Sequence, residues 1–428
     1  MRLKLTAAGV LALALLAVSA FPAGPLAAKA PSCKDTVNNV LAQNGYSPSA
    51  LSRVSGRTES SINNEILTLC SAGTVPAQVA AQVLKDSTID APHVGSLLAK
   101  VFGLDATQAA AVLKAVGFSS SQIAAALLGA FGLTPLQGAQ LLKSLGYGVT
   151  DIAAALKAAF GQTAQQAGSI LKTLGYSLDV LTSALKDAYG LTAGQAGQVL
   201  QGLGFGADDI ATELKTLFGQ TDVQTAKILF GLGFDATALA TMANDVYQDD
   251  PLSAGSLLQE TLTGFSNLPS VIADALEGIY HSGAESMALL LDWLHYGANE
   301  IGGAMVDVYK LGDEAVAGIE KGLGFAYDEI AGMLSDVFGD PGATAANILK
   351  AVEFGATEIA GALKDVYNYT DSLVAETLDN IDFSPDAIAK ALEVAFNDTT
   401  DAIESIFTSL GGDLKDFASC LVDPTCWF

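Results

Sequence analysis

A short phrase, Leu-Gly-aromatic, returns along this chain at a fixed interval, and that interval constrains the fold more than any other feature. LKSLGYG, LKTLGYS and LQGLGFG begin at Leu142, Leu171 and Leu200, 29 residues apart. Followed through the chain, the corner falls at Thr88, Gly117, Gly146, Gly175, Gly204, Gly233, Gly264, His295, Gly324, Glu353, Asp382 and Gly411. Nine of the eleven spacings are 29 residues and two are 31, the signature of a repeat architecture. A second corner is interleaved at Phe102, Phe131, Phe160, Tyr189, Phe218, Tyr247, Tyr280, Tyr309, Phe338, Tyr367 and Phe396. Two corners per period mean two elements per unit.

Each element reads as a short helix. In TDIAAALKAAFG the large apolar residues Ile152, Leu156 and Phe160 stand four apart. In TAQQAGSILKTLGY, Ala164, Ala167, Ile170, Leu171 and Leu174 share one helical face. Thr, Ser or Asp opens the helices, where a side-chain oxygen caps free N–H groups. Glycine closes them, where the chain must turn left-handed. The aromatic after the glycine is expected to pack back on the helix it has just left. Helices of roughly ten residues are marginal alone, so stacked neighbours must supply the missing core. The predicted fold class is all-α: tandem helical hairpins forming an α-solenoid, with a closed α/α ring as the alternative. At about 8–10 Å between packed helices, such a solenoid would be on the order of 100 Å long.

The ends bear on compartment. Residues 1–30 read as a signal peptide: Arg2 and Lys4 precede the apolar run LTAAGVLALALLAV, and the small residues ending at Ala20 and Ala30 resemble cleavage sites. The run is shorter than the roughly 20 residues a spanning helix needs. The expected localisation is secreted, periplasmic or cell surface. Four cysteines agree with export, two just after the leader and two near the C-terminus. Of the possible pairings, Cys33–Cys70 and Cys420–Cys426 would fasten residues 31–75 and 412–428 as terminal caps.

Charge divides the chain. Its net charge of −25 excludes nucleic acid as a natural partner, since phosphates want a basic surface. Residues 1–243 hold 14 acids and 15 bases, whereas residues 244–428 hold 32 acids and 6 bases. Both two-residue insertions fall between Tyr247 and Ile272, each beside a proline, Pro251 or Pro269. The organisation therefore reads as a near-neutral array over 76–247, an irregular break over 248–271 and an acidic array over 272–411.

One column of acids stands out: Asp187, Asp245, Asp307, Asp336 and Asp365, each two residues before a second-corner aromatic. A helix C-terminus disfavours negative charge, so the column is either a solvated stripe or a surface for a basic partner or cations. Calcium needs several converging oxygens, and YQDDPLS and FGDPGAT each supply only one or two acids, so no cofactor is expected beyond that slight opening for calcium. Lys114, Lys143, Lys172 and Lys350, three residues before the corner, read as solvent-facing cations near helix C-termini. The recurring aromatics read as core. The three histidines are scattered, and the glycines are spent on corners, so no metal, nucleophile or phosphate-loop pattern emerges.

Over about residues 75–415, the pattern Leu-Gly-[Phe/Tyr], Ile-Ala-x-x-Leu-Lys, [Phe/Tyr]-Gly resembles tandem helical-hairpin repeats of exported bacterial proteins. That likeness implies a fold and no activity. The corner also looks like that of the mitochondrial transcription-termination factor repeats, which bind nucleic acid through basic surfaces. This acidic chain departs from them there. The expected function is a non-enzymatic interaction scaffold or self-assembling structural protein, whose partner is a basic protein or a second copy. The alternatives are a carrier or membrane-surface binder of apolar ligands, and an enzyme gathering acids inside an α/α ring.

Overall fold

The computed structural model describes residues 31–411 and 414–415. The leader expected at 1–30 and the expected Cys420–Cys426 pair lie outside the described residues. Among the described residues every regular element is a helix, and the helices pack consecutively with their sequence neighbours as in an α-solenoid. Two compact units divide the chain, one up to Leu145 and one from Gly146 onward.

The first unit opens with three helices, Cys33–Gln43, Pro48–Ser55 and Glu59–Ser71, which close over Val37, Leu41, Leu51, Ile62 and Ile66. The Cys33–Cys70 disulfide forms and joins the first of these helices to the third. Hairpin repeats follow, and they fill the second unit as well. Within each unit the helices form two alternating rows. One row follows the Leu-Gly-aromatic corner and includes Ser120–Phe131, Leu178–Tyr189, Ala207–Phe218 and Ala298–Tyr309. The other follows the second corner and includes Ala106–Ala115, Ala164–Thr173, Ala193–Gly202 and Asp313–Leu323.

The start of each helix is read directly from its residues. Thr163 accepts from the Gln166 backbone N–H at 3.3 Å while the Gln166 side chain accepts from the Thr163 N–H at 3.0 Å, a reciprocal capping box. In the acidic part glutamate does the same: Glu300, Glu329 and Glu358 accept from the N–H of Gly297, Ala326 and Gly355. The first corner is a Schellman turn. The Gly175 N–H donates to Lys172 O at 3.0 Å and the Tyr176 N–H to Leu171 O at 3.3 Å. The corner stays left-handed even without glycine, at Thr88, His295, Glu353 and Asp382. Such a φ costs a residue with a Cβ about 1–2 kcal/mol.

Isoleucine, leucine and alanine build the core, for example Ile152, Ala153, Ala155 and Leu156 on one helix and Ala167 and Leu171 on its partner, each no more than 1% exposed. Most of the aromatics expected in the core are instead half-buried at the corners, ranging from Phe118 at 5% to Phe265 at 46% exposed. The outward faces of several of them are occupied by lysines. Lys172 donates to the backbone oxygen of Leu203, 31 residues on, at 2.7 Å, and its ammonium sits 4.4 Å from the centre of the Phe205 ring. Lys157, Lys186 and Lys215 make the same paired contact with Ala188 and Tyr189, Leu217 and Phe218, and Val246 and Tyr247. Lys321, Lys350 and Lys364 repeat it further on. These lysines are therefore ties between repeats. Each brings a cation to the carbonyl end of the next helix in its row, where the dipole favours it.

Tyrosines tie the chain in the opposite direction. The hydroxyls of Tyr189, Tyr247, Tyr280 and Tyr309 donate to Gln162 O, Gln220 O, Asp249 O and Ser282 O in the turn one repeat back, at 2.7–3.0 Å. Burial pushes Tyr189, Tyr280 and Tyr309 up to about 12. Over 248–271 the irregularity is confined to two turns. Between them Pro251–Thr261 is a full helix packed on its row neighbours, with Pro251 at its first position, where no N–H is needed.

Two outcomes test these contacts. Lys172→Met keeps the aliphatic stem but removes the cation, and chemical denaturation should show a loss of about 1–2 kcal/mol. Glu353→Gly relieves the left-handed corner against a larger unfolded-state entropy, and should gain about 0.5–1 kcal/mol. A neutral result for either removes that contact from the account of stability.

Candidate functional site: the acidic surface and an untied joint

The five acids of the column are all exposed. They recur along one row and do not converge on a single centre. Among the described residues no group of three or more His, Cys, Asp or Glu is placed to hold a metal ion. Part of the column has a local role. Asp307 accepts from the Ser270 hydroxyl at 2.8 Å, and Asp336 from the Asn299 side-chain amide at 2.8 Å, in each case 37 residues back. Ser270 and Asn299 lie in the first turn of the preceding helix of the same row. An acid unfavourable at its own helix C-terminus is thus placed beside a helix N-terminus, where charge of that sign is favoured. Asp245 accepts from Asn244 at 2.6 Å. With burial as the larger cause, Asp245 also helps raise Asp208 above the usual carboxylate range. Asp365 stands near enough to Tyr327 to help raise it, after burial and Asp328. Asp187 lies at the same position, exposed.

The lysine ties are not continuous. Glu277 and Asp292 occupy positions that carry lysine in other repeats. Glu277 faces the next corner closely enough to help raise Tyr309, whose shift is mainly burial. Asp292 stands to Leu323 and Phe325 as Lys172 stands to Leu203 and Phe205. The position from which Lys172 reaches Leu203 O, and from which the Gln201 amide reaches Leu232 O, is held by a carboxylate in the repeat before Asp313–Leu323.

A cavity of about 980 Å³ opens at that joint, between the helices Ala284–Trp293 and Asp313–Leu323. Gly318 and Gly322 leave its floor bare, Leu289 forms a wall, and Glu285 and Glu314 lie at its edge. A smaller cavity of about 250 Å³ lies on the other side of the Leu289–Trp293 ridge and reaches Asp250. Leu289 is 40% exposed and Trp293 57%. The equivalent groove beside Ala164–Thr173 is lined instead by Gln165, Ser169, Lys172 and Thr173. Polar residues have been exchanged for apolar ones at matching positions, Ser169 for Leu289 and Thr173 for Trp293.

Beneath the same helix sits a buried acid. Glu320 is 0% exposed, and neither carboxylate oxygen has a hydrogen-bond partner. It takes the place held by Leu171 and Leu349 in other repeats. Gly302 and Met333 complete this substitution. A methyl group at Gly302, alanine in most repeats, would lie 2.6 Å from Met333 Cγ and 3.2 Å from Glu320 Oε1. Burial, with Glu329 adding repulsion, pushes Glu320 from an ordinary 4.5 up to about 8. Glu213, 4% exposed, is raised by the same causes, burial first and then Asp179 and Asp209. Both were legible only as acids at positions that are apolar elsewhere in the repeat.

No protein-family model matches the chain, and no curated protein matches it.

The buried acid makes stability depend on pH with a definite sign. The unfolded chain releases this proton near pH 4.5, whereas the folded chain keeps it until about pH 8, so folding takes up a proton between the two. Stability is then greatest below pH 4.5, as far as this group is concerned, and falls as pH rises toward 8. At about 1.4 kcal/mol per pH unit, the loss is on the order of 5 kcal/mol. Glu320→Leu should flatten that dependence and raise the denaturation midpoint at pH 8 far more than at pH 5. Parallel curves for the two proteins at both pH values would show that Glu320 is not the responsible group.

Proposed function

We propose that this chain is an exported, non-enzymatic helical repeat protein that binds basic partner proteins through the acidic surface of residues 244–428. The observation that carries this reading is the exposure of Asp245, Asp307, Asp336 and Asp365 at one repeat position, in a part of the chain with 32 acids and 6 bases. Several bases there, Lys321, Lys350 and Lys364, are already engaged as ties, so the outward charge is strongly negative. Such a surface attracts and orients cationic partners at long range and repels polyanions. The large perturbations among its acids accompany burial in helix packing, and no reaction is assigned to them. Export is supported by the Cys33–Cys70 disulfide, since such bonds persist in oxidising compartments, and by the leader-like residues 1–30. Among the described residues no helix is long and apolar enough to cross a membrane.

Binding to immobilised polylysine, DNA and anionic vesicles, followed at rising salt, tests the proposal. The chain should be retained on polylysine only, and retention should weaken steeply once the Debye length falls below about 10 Å, near 0.1 M salt. Neutralising Asp307, Asp336 and Asp365 to Asn should weaken binding several-fold more than neutralising Glu376, Asp386 and Asp401. Equal losses for the two triple variants would reduce the column to a solvated stripe, and retention on DNA or vesicles would overturn the partner class.

A further inference from the structure

The untied joint at residues 284–325 combines three features that are separate elsewhere in the chain. An acid replaces the tying lysine, an apolar ridge replaces polar side chains, and two glycines leave the adjoining helix face bare. We infer that this joint is the docking groove for a basic amphipathic helix of a partner protein. The inference rests on the proposed acidic-surface function and gives it a specific place.

The chemistry of the occupant follows from what the joint lacks. In other repeats an ammonium lies between a helix-terminal carbonyl and the next corner aromatic, as Lys172 does between Leu203 and Phe205. At this joint the corresponding carbonyl belongs to Leu323 and the ring to Phe325, and the residue that should reach them is Asp292. A carboxylate near a helix C-terminus is unfavourable, and a cation arriving from outside relieves both charges at once. Glu285 and Glu314 at the cavity edge, with Asp250 beyond the ridge, extend the demand for positive charge across the groove. These acids exclude an acidic or phosphorylated occupant.

The apolar half of the occupant follows from the ridge. Leu289 and Trp293 stand one helical turn apart on the outward face of Ala284–Trp293, where solvent would otherwise hydrate both. Exposed tryptophan beside a cavity is the kind of anchor that interfaces bury at their centre. Gly318 and Gly322, also four apart, let a guest backbone approach the helix Asp313–Leu323 closely. A helix presenting leucines at i, i+3 and i+4 with lysines or arginines beside them matches both faces of the groove. One of its cations takes the place of the missing tie.

Asp292→Lys makes the test sharp, because it supplies the tie from within and should strengthen the fold while blocking the site. The probe is a tryptophan-free Leu/Lys peptide of about 18 residues, long enough to be helical, beside a scrambled peptide of equal charge and composition. Docking is read by intrinsic fluorescence, with Trp293→Phe identifying the signal of Trp293 among the chain's two tryptophans. The amphipathic peptide should bind the unaltered full chain at least ~10-fold more tightly than the scrambled one and shift the emission to shorter wavelength. Asp292→Lys and, separately, Leu289→Ser should each weaken binding by ~10-fold or more. Asp292→Lys should do so while raising the denaturation midpoint. If both peptides bind equally and neither variant matters, the groove is wrong while the acidic-surface reading survives. If neither peptide binds, both readings fall together.

Discussion

Everything in this structure depends on how one short helix is joined to the next. Helices of this length do not hold in water by their own hydrogen bonds, and their ends leave carbonyls unsatisfied. The corner answers part of that need locally, through the Schellman turn and its aromatic. The lysine answers the rest from the preceding repeat, bringing positive charge to the negative end of its neighbour's dipole and covering the ring that follows. A single residue type thus links helix termination to repeat stacking. Because every such joint is local, the stability of the array is close to a sum over joints, and one joint can be altered without dissolving the others.

That modularity explains how the acidic part of the chain keeps the fold while departing from the repeat pattern. Where lysine gives way to Glu277 or Asp292, the array lacks the contact that Lys172 and Lys186 make in other repeats. Where leucine gives way to Glu320, the core holds an unpaired carboxylic acid, accommodated beside Gly302 and Met333. These changes make the second array less stable than the repeat pattern allows, and two of the three residues, Asp292 and Glu320, occur beside or on the same helix, Asp313–Leu323. Local departures from an otherwise consistent pattern are where functional sites are expected, since selection retains them against their cost.

The acids of the column show how one residue can serve two requirements. Asp307 and Asp336 are bound to side chains in the first turn of the preceding helix, so they contribute to the joint. Their remaining oxygens face water, and their charge adds to a field that reaches about a Debye length from the surface. Removing them would therefore affect both the stability of the joint and the surface field, whereas the Leu289–Trp293 ridge contributes to the surface without a comparable tie to the fold.

The repeat period, the two helices per unit and their caps were legible in the sequence, because each depends on contacts within a few residues or on a pattern repeated many times. The Cys33–Cys70 pair was legible because both cysteines stand at one end of the chain, far from the other two. The column was legible as a periodic set of acids, and the lysines as a periodic set of cations. Their partners were not, because Lys172 finds its acceptor 31 residues on and Asp307 its donor 37 residues back, distances that only the stacking angle between helices makes short. For the same reason the aromatics read as core in the sequence, whereas the outer faces of several, Phe205 and Phe383 among them, are platforms for lysine. Glu320 was hidden by its surroundings: an acid among many acids is ordinary in sequence, and only packing reveals that this one is sealed from water. Local chemistry and repetition decided what the chain folds into. The relative placement of neighbouring helices decided which charges are neutralised, which are buried and which face solvent.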